Sequence, residues 1–134
     1  MGAAASFARL STYKYCQLVT FRRSGTAVPT PVWFAVAGHR LYVKTETPSG
    51  KVRRIRANAH VEVAPCTVRG RPRGPAVAGH ARILDPAEEP AAERALRARY
   101  GVGRRLFELL LEPVFRRRGL VPTYVEIIPR GHAA

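Results

Sequence analysis

The chain has 134 residues, 46% of them hydrophobic, and its 23 basic and 9 acidic side chains give a formal net charge of +14. This composition predicts a single globular domain over residues 1–134 and excludes a disordered chain, and no apolar run approaches the roughly 20 residues that a transmembrane helix needs. The charge predicts an anionic partner, which composition alone leaves open between nucleic acid, acidic lipid and a highly charged cofactor.

The predicted elements are short strands with helices inserted between them. A short helix at residues 3–10 is followed by three segments rich in strand-forming residues, at 15–21, 27–36 and 40–46. After a basic helix that ends near Ala57 come strands at 61–64 and 76–84, helices at 87–100 and 104–117 divided by Gly101 and Gly103, and a strand at 121–129. This order predicts an α+β, mainly β fold: an antiparallel, closed six-stranded barrel with peripheral helices.

Pro29 and Pro31 are unusual inside a predicted strand. Proline cannot donate a hydrogen bond to a neighbouring strand, so prolines at alternate positions predict an edge or an unpaired side. The backbone of such an edge can face a ligand, and Trp33 offers a large flat apolar surface beside it. A barrel-rim edge with Trp33 in the core is the alternative interpretation, and the residues alone leave both open.

The predicted helix that begins at Ser49 carries charges that oppose its dipole. Partial positive charge at a helix start favours Asp or Glu in the first turn, whereas this turn contains Lys51, Arg53 and Arg54. The other helix start, at Asp85, has a proline and acidic residues and follows the rule. Free backbone N–H groups, a capping hydroxyl and several cations at one helix start predict an anion site, and phosphate suits it best.

The residues assigned to this anion site are Ser49, Gly50, Lys51 and Arg54. Gly50 lets a ligand approach the backbone closely, and Lys51 and Arg54 lie three residues apart on one face of the helix. Arg53 and Arg56 are interpreted as solvated charges.

Cysteine usage and the start of the chain indicate the cellular compartment. Cys16 and Cys66 are too few for a disulfide scaffold or a zinc cluster, so reduced, buried thiols and no metal site are predicted. The first residues lack a basic region followed by a long apolar one, so no secretory signal is predicted and a cytoplasmic location is expected. No triad or carboxylate pair is convincing, and the catalytic residues stay unassigned.

Four segments together carry a resemblance to a known family: PTPVW at 29–33, LYVKTETPSGKVRRIRAN at 41–58, VEVAPC at 61–66 and GHARILDPAE at 79–88. They resemble the pyridoxamine 5′-phosphate oxidase-like split barrels and, within these, the flavin/deazaflavin oxidoreductases that use coenzyme F420. The resemblance covers about Tyr15 to Pro129, and its most specific part is the block from Thr45 to Arg56 followed by Asn58.

The resemblance implies a split barrel that forms a homodimer with two cofactors in grooves between the subunits, and no membrane partner. In the family, the strand that matches Thr30, Pro31, Val32 and Trp33 lies against the tricyclic ring of the cofactor. The phosphate end is held by residues that match Thr45, Thr47, Ser49, Gly50, Lys51 and Arg54. The implied activity is hydride transfer between the deazaflavin of coenzyme F420 and a small organic substrate.

Two other functions remain as alternatives. True pyridoxamine phosphate oxidases carry an Arg-x-x-x-Leu-Lys type of strand where this chain has PTPVW, so vitamin B6 oxidation is not expected. An FMN-binding reductase on the same fold is the first alternative. A nucleic-acid-binding barrel is the second, and it is disfavoured because only Trp33, Phe34 and Tyr42 lie near each other as a base-stacking surface.

Overall fold

A computed structural model describes residues 6–131, without the side chains of Val102 and Arg105. It contains a closed barrel of six strands in the order β1-β2-β3-β6-β5-β4, and every neighbouring pair is antiparallel. The strands are β1 (Tyr15–Phe21), β2 (Ala27–Ala37), β3 (Arg40–Thr47), β4 (His60–Cys66), β5 (Val77–Ile83) and β6 (Val121–Pro129). The predicted six-stranded antiparallel barrel is therefore confirmed.

Helices lie at three places around the barrel. A 3₁₀ turn at Ala8–Thr12 replaces the helix predicted at 3–10, of which residues 3–5 lie outside the described chain. Helix α1 (Gly50–Ala57) agrees with the prediction, and a 3₁₀ turn at Pro86–Glu88 leads into α2 (Glu89–Arg117). No helix within residues 6–131 is long and apolar enough to cross a membrane.

The core lies inside the barrel, where alternate residues of the strands point inward. Its fully buried members include Leu18, Phe34, Leu41, Val63 and Ile127. Helix α1 contributes its two apolar residues to buried packing, as their spacing predicted. A second cluster forms outside the barrel, where the N-terminal half of α2 packs on β2, β3 and β6.

The helical region before β6 is continuous except at one residue. Gly101 has φ 63° and ψ −142°. This conformation breaks the helix, and residues other than glycine rarely adopt it. The sequence predicted two helices divided by Gly101 and Gly103, but the chain is helical again at Gly103. The break therefore divides α2 into an N-terminal half that packs on the barrel and a C-terminal half, residues 104–117, that follows the kink.

The barrel is split between β2 and β3. Residues 27–32 of β2 pair with β1, whereas the pairing of β2 with β3 begins at Trp33, opposite Lys44. The end of β3, from Thr45 to Thr47, has no partner in β2 and keeps only its pairing with β6, which runs along β3 from Leu41 to Thr47. Pro29 and Pro31 lie in the stretch of β2 that has separated from β3, so the predicted unpaired side is confirmed.

Candidate functional site

A cavity of about 550 Å³ lies where β2 and β3 separate. One wall consists of the strand residues Pro31, Val32, Trp33, Lys44, Thr45 and Glu46, with Lys51 at the start of α1. The C-terminal half of α2 and the start of β6 form the opposite wall. The split thus turns two diverging strands and a helix into one concave site.

The structure brings one subset of the predicted site residues together in this cavity: Pro31, Val32, Trp33, Thr45 and Lys51. Trp33 is half-buried, and its ring centroid lies 5.1 Å from that of Tyr100 and 5.2 Å from that of Phe107. Trp33 therefore packs against α2 on the outside of the barrel and is not part of the barrel core. Thr30 does not line the cavity and lies on β2 just before Pro31.

Among the predicted site residues, Thr45 has a side-chain hydroxyl that lacks a hydrogen-bond partner within residues 6–131. Its residue is only 7% exposed, and its buried Oγ1 has no hydrogen-bond partner in the described part of the chain. A buried hydroxyl without a partner is costly, so such groups are normally satisfied by water or by a ligand. Thr45 also lies on the cavity wall, so its covered hydroxyl is close to the space that a ligand would occupy.

The start of α1 has the capping geometry that the sequence predicted. Ser49 is extended, with φ −155° and ψ 158°, and its Oγ accepts a hydrogen bond of 3.3 Å from the backbone N–H of Val52. The first turn contains no acidic residue. Thr47, just before the helix, shares a 2.5 Å hydrogen bond with the hydroxyl of Thr123. The hydroxyls of Ser49 and Thr47 are thus engaged within the chain, whereas that of Thr45 is not.

Gly50 and Arg54 form the back of the helix start. Arg54 Nε donates a hydrogen bond of 2.7 Å to Thr20 Oγ1, and a Cβ at Gly50 would lie 2.6 Å from Arg54 Nη1. Glycine at position 50 therefore leaves room for the guanidinium beside the first turn. Neither residue lines the cavity itself, so Arg54 lies behind the helix start while Lys51 faces the cavity.

This end of the site has an excess of positive charge. Burial lowers the pKa of Arg54, and the neighbouring guanidinium groups of Arg22 and Arg53 lower it further. Within residues 6–131, neither Lys51 nor Arg54 has a carboxylate within ion-pair distance. Together with the free N–H groups of the helix start, these cations favour an anionic ligand.

A partly buried ionic network at the other side of the cavity was not predicted from the sequence. Both guanidinium nitrogens Nη1 and Nη2 of Arg104 lie 3.1 Å from oxygens of Glu93, and Arg104 Nε lies 2.5 Å from Glu108. Lys44 Nζ lies 2.5 Å from the other oxygen of Glu108, and the hydroxyl of Tyr124 donates a 2.5 Å hydrogen bond to Glu93. We refer to these five residues as the Glu93 network.

The Glu93 network ties the two halves of α2 to the barrel. Glu93 precedes the break at Gly101, Arg104 and Glu108 follow it, and the remaining members come from β3 and β6. Burial raises the pKa of Glu93, but hydrogen bonds from Arg104 and Tyr124 outweigh that effect and bring it to about 2. The network therefore holds the outer wall of the cavity in place with an ionised carboxylate at its centre.

One part of this network has a signal in the sequence. Arg104 and Glu108 are four residues apart in a predicted helix, which favours an ion pair on one face. The contacts of Glu93 with Lys44, Arg104 and Tyr124 depend on the path of the chain around the barrel, and no local pattern indicates them. Within the described residues, no group of three or more His, Cys, Asp or Glu side chains is placed to hold a metal ion.

Solved structures of low sequence identity share this fold. An F420 reductase is 19% identical, with a TM-score of 0.57, and the match covers 97% of each chain. A FAD-binding protein from Mesorhizobium loti is 15% identical, with a TM-score of 0.59 over 90% of this chain and 82% of that one. The heme storage protein HutZ from Vibrio cholerae is 12% identical, with a TM-score of 0.64 over 94% and 89%.

The sequence itself matches a family model. No curated protein matches it at a significant level, but the family model described as pyridoxamine 5′-phosphate oxidase matches residues 4–118. That range includes the strands that diverge, the start of α1 and both halves of α2. The chain belongs to the pyridoxamine 5′-phosphate oxidase family.

Proposed function

We propose that the protein is an oxidoreductase that uses the deazaflavin coenzyme F420 to transfer a hydride to or from a small organic substrate. The observation that carries the proposal is a cavity whose lining has two chemically different parts. One part is the apolar strand edge at Pro31–Trp33, the other is the cationic helix start with Lys51, and the unpartnered hydroxyl of Thr45 belongs to the same lining. Such a site suits a ligand with a flat apolar ring and a phosphate group.

The residues present fit the parts of this coenzyme. Its phosphodiester and acidic oligoglutamate tail are anionic, and both suit a chain with a net charge of +14. Lys51 and the N–H groups at the start of α1 would hold the phosphate end of the coenzyme. The coenzyme would in turn give the hydroxyl of Thr45 a polar partner there. Pro31, Val32 and Trp33 would pack against the ring.

When bound, the coenzyme supplies the hydride chemistry, and the protein supplies binding, orientation and exclusion of water. Trp33 and Phe107 form an aromatic contact across the cavity, which removes water from the space beside β2. The Glu93 network fixes the helix that carries Phe107. These roles need no dedicated acid or base, and no catalytic proton donor is assigned.

An FMN-binding reductase on the same fold is the second candidate. The likeness to a FAD-binding protein favours it, because a flavin has the same division into a flat ring and a phosphate-bearing chain. The nucleic-acid-binding alternative has less support from the aromatic residues. Phe34 is 0% and Tyr42 is 6% exposed, so neither is available for base stacking.

The first test compares the two cofactors at two salt concentrations. We expect coenzyme F420 to bind more tightly than FMN, and we expect this preference to shrink as salt is added. Exposed charges are screened over about 8–10 Å at physiological ionic strength, which weakens attraction of the oligoglutamate tail but not ring packing. Fluorescence titrations with each cofactor measure both affinities. Equal affinities at low salt would replace the deazaflavin proposal with the FMN reductase.

The proposed oxidoreductase is also expected to be a homodimer. Leu106, Leu110 and Val114 are 57%, 77% and 41% exposed and are spaced four residues apart on α2, on a side that does not line the cavity. A contiguous exposed apolar stripe of this kind favours burial against a second copy of the chain. This stripe is the surface that we propose for the dimer contact.

Light scattering at micromolar protein concentration tests the dimer. The wild-type chain should have twice the mass of a monomer, and the double variant Leu106→Ser/Leu110→Ser should dissociate. Val68→Ser is the matched control, because Val68 is 66% exposed but lies in the loop after β4. A wild-type monomer that still binds the cofactor would refute the dimer.

A further inference from the structure

We propose that the substrate is a neutral, flat, apolar molecule that packs against Phe107 and Phe115, and that Glu108 makes the site reject anionic substrates. This inference rests on the proposed function, since it names the substrate class for the same cavity. The observations behind it concern the cavity wall that is formed by the C-terminal half of α2.

The apolar side chains of that wall are partly exposed to the cavity. Phe107 is 51% and Phe115 is 37% exposed, and both line the cavity. Phe107 also contacts Trp33 on the opposite strand with a centroid distance of 5.2 Å, so the two rings form one aromatic surface beside the cavity. Flat apolar ligands gain the most from burial against such faces, through both area and ring stacking.

The charged side chains of the same wall are already paired with each other. Lys44 Nζ and Arg104 Nε each lie 2.5 Å from an oxygen of Glu108, and Arg116 pairs with Glu112. An anionic ligand would have to compete with Glu108 for these cations, and a cationic ligand would have to compete with Lys44 and Arg104. A neutral ligand leaves the pairs intact, and it pays no cost for separating them.

Among the described lining residues, two further charges lie outside these pairs. They are Glu46 near the end of β3 and Lys51 at the start of α1. Lys51 is where the phosphate is proposed to bind. The pairing on the wall formed by α2 depends on Glu108, because this carboxylate contacts both Lys44 and Arg104, while Glu93 supplies the second negative charge.

Glu108 therefore acts as a specificity residue, and replacing it should change the preference of the cavity for neutral over anionic ligands. Replacing it by glutamine keeps the shape of the side chain but removes the charge. Lys44 and the Nε group of Arg104 would then face the cavity without their carboxylate, while the Nη groups of Arg104 keep Glu93. A ligand carboxylate in the cavity would then be attracted by this uncompensated positive charge.

Matched ligands test this by titration calorimetry, which does not depend on turnover. The probes are 2-naphthamide and 2-naphthoate, which share a ring system and differ in charge, titrated into protein with and without bound cofactor. The wild type should bind the amide at least about tenfold more tightly than the carboxylate, and Glu108→Gln should bind the carboxylate about tenfold more tightly than the wild type does. Its affinity for the amide should change little.

A second pair of variants tests the position of the ligand. Phe107→Ala should weaken binding of 2-naphthamide about five- to tenfold, because one ring contact is lost. Leu111→Ala removes a side chain from the same helix that neither lines the cavity nor belongs to the proposed dimer stripe, and it should leave the affinity unchanged. Both variants are compared at a concentration where light scattering gives them the same oligomeric state as the wild type.

The outcomes separate this inference from the proposed function. Equal wild-type affinities for the two probes, or a Glu108→Gln protein with no gain for 2-naphthoate, would overturn the neutral-substrate inference even if coenzyme F420 binds. Equal losses in Phe107→Ala and Leu111→Ala would overturn the ligand position. If coenzyme F420 fails to bind but the probe preferences are as expected, the proposed function fails and the selectivity of the cavity stands.

Discussion

Replacing Lys51 with alanine is expected to weaken binding of coenzyme F420 by about ten- to a hundredfold, the equivalent of one charge-assisted phosphate contact of roughly 1.5–3 kcal/mol. Lys51 lines the cavity in the first turn of α1, and no carboxylate within the described chain pairs with it. Arg56→Ala is the matched control, because Arg56 is exposed near the end of the same helix.

Both variants remove one positive charge from α1, so general attraction to an anionic ligand falls equally in the two. Any difference between them therefore measures local contact at the helix start. Fluorescence titration at fixed salt gives the two dissociation constants, and we expect the Arg56→Ala constant to stay within about twofold of the wild type. Equal losses would mean that the chain attracts the cofactor without a defined phosphate site.

Replacing Glu93 with alanine is expected to lower the free energy of unfolding by about 3 kcal/mol. The side chain of Arg104 is only 3% exposed, and the substitution takes away the carboxylate that meets two of its nitrogens. Glu108 still neutralises part of that charge, which places the effect at the lower end of what breaking a buried pair costs. Glu88→Ala is the control, because Glu88 pairs with Arg82 near the surface.

Urea unfolding measures the free energies, and hydrogen exchange locates the change. Exchange should accelerate mainly in residues 104–117, since the Glu93 network holds this half of α2 to β3 and β6. A Glu93→Ala protein with the same stability and exchange as Glu88→Ala would show that the network does not anchor the helix.

The contribution of Glu93 also has a definite pH dependence. Its pKa of about 2 in the folded protein lies below the ordinary value of 4.5, so the folded state favours the ionised form. The stabilisation is therefore fully present above pH 4.5 and is lost as the pH falls from 4.5 towards 2. The difference in stability between wild type and Glu93→Ala should shrink over that interval and remain constant between pH 6 and 8.

The parts of the molecule that the sequence predicted are those with local causes. Alternating and strand-forming residues determine the six strands, and the prolines of β2 mark where its pairing with β3 ends, because proline lacks a donor wherever it is placed. Ser49 caps α1 through a contact three residues away. The same local logic placed Lys51 at a helix start, where it lines the cavity.

The parts that were not predicted depend on contacts between distant residues. Thr47 meets the hydroxyl of Thr123 because β3 pairs with β6, and Lys44 meets Glu108 because the second half of α2 returns over the split. Neither partner is identifiable from spacing, since each pairing requires the closed barrel. Gly101 alone breaks the helix, because only it takes a positive φ in that region, whereas the sequence offered Gly103 as an equal candidate.

The surroundings of Trp33 make its fluorescence sensitive to the position of the second half of α2. Trp33 is the single tryptophan of the chain, and its ring touches Tyr100 before the helix break and Phe107 after it. Any displacement of residues 104–117 removes one neighbour of the indole and admits water on that side. Its emission should then shift to longer wavelength, so stopped-flow fluorescence would detect and time any such displacement without an attached dye.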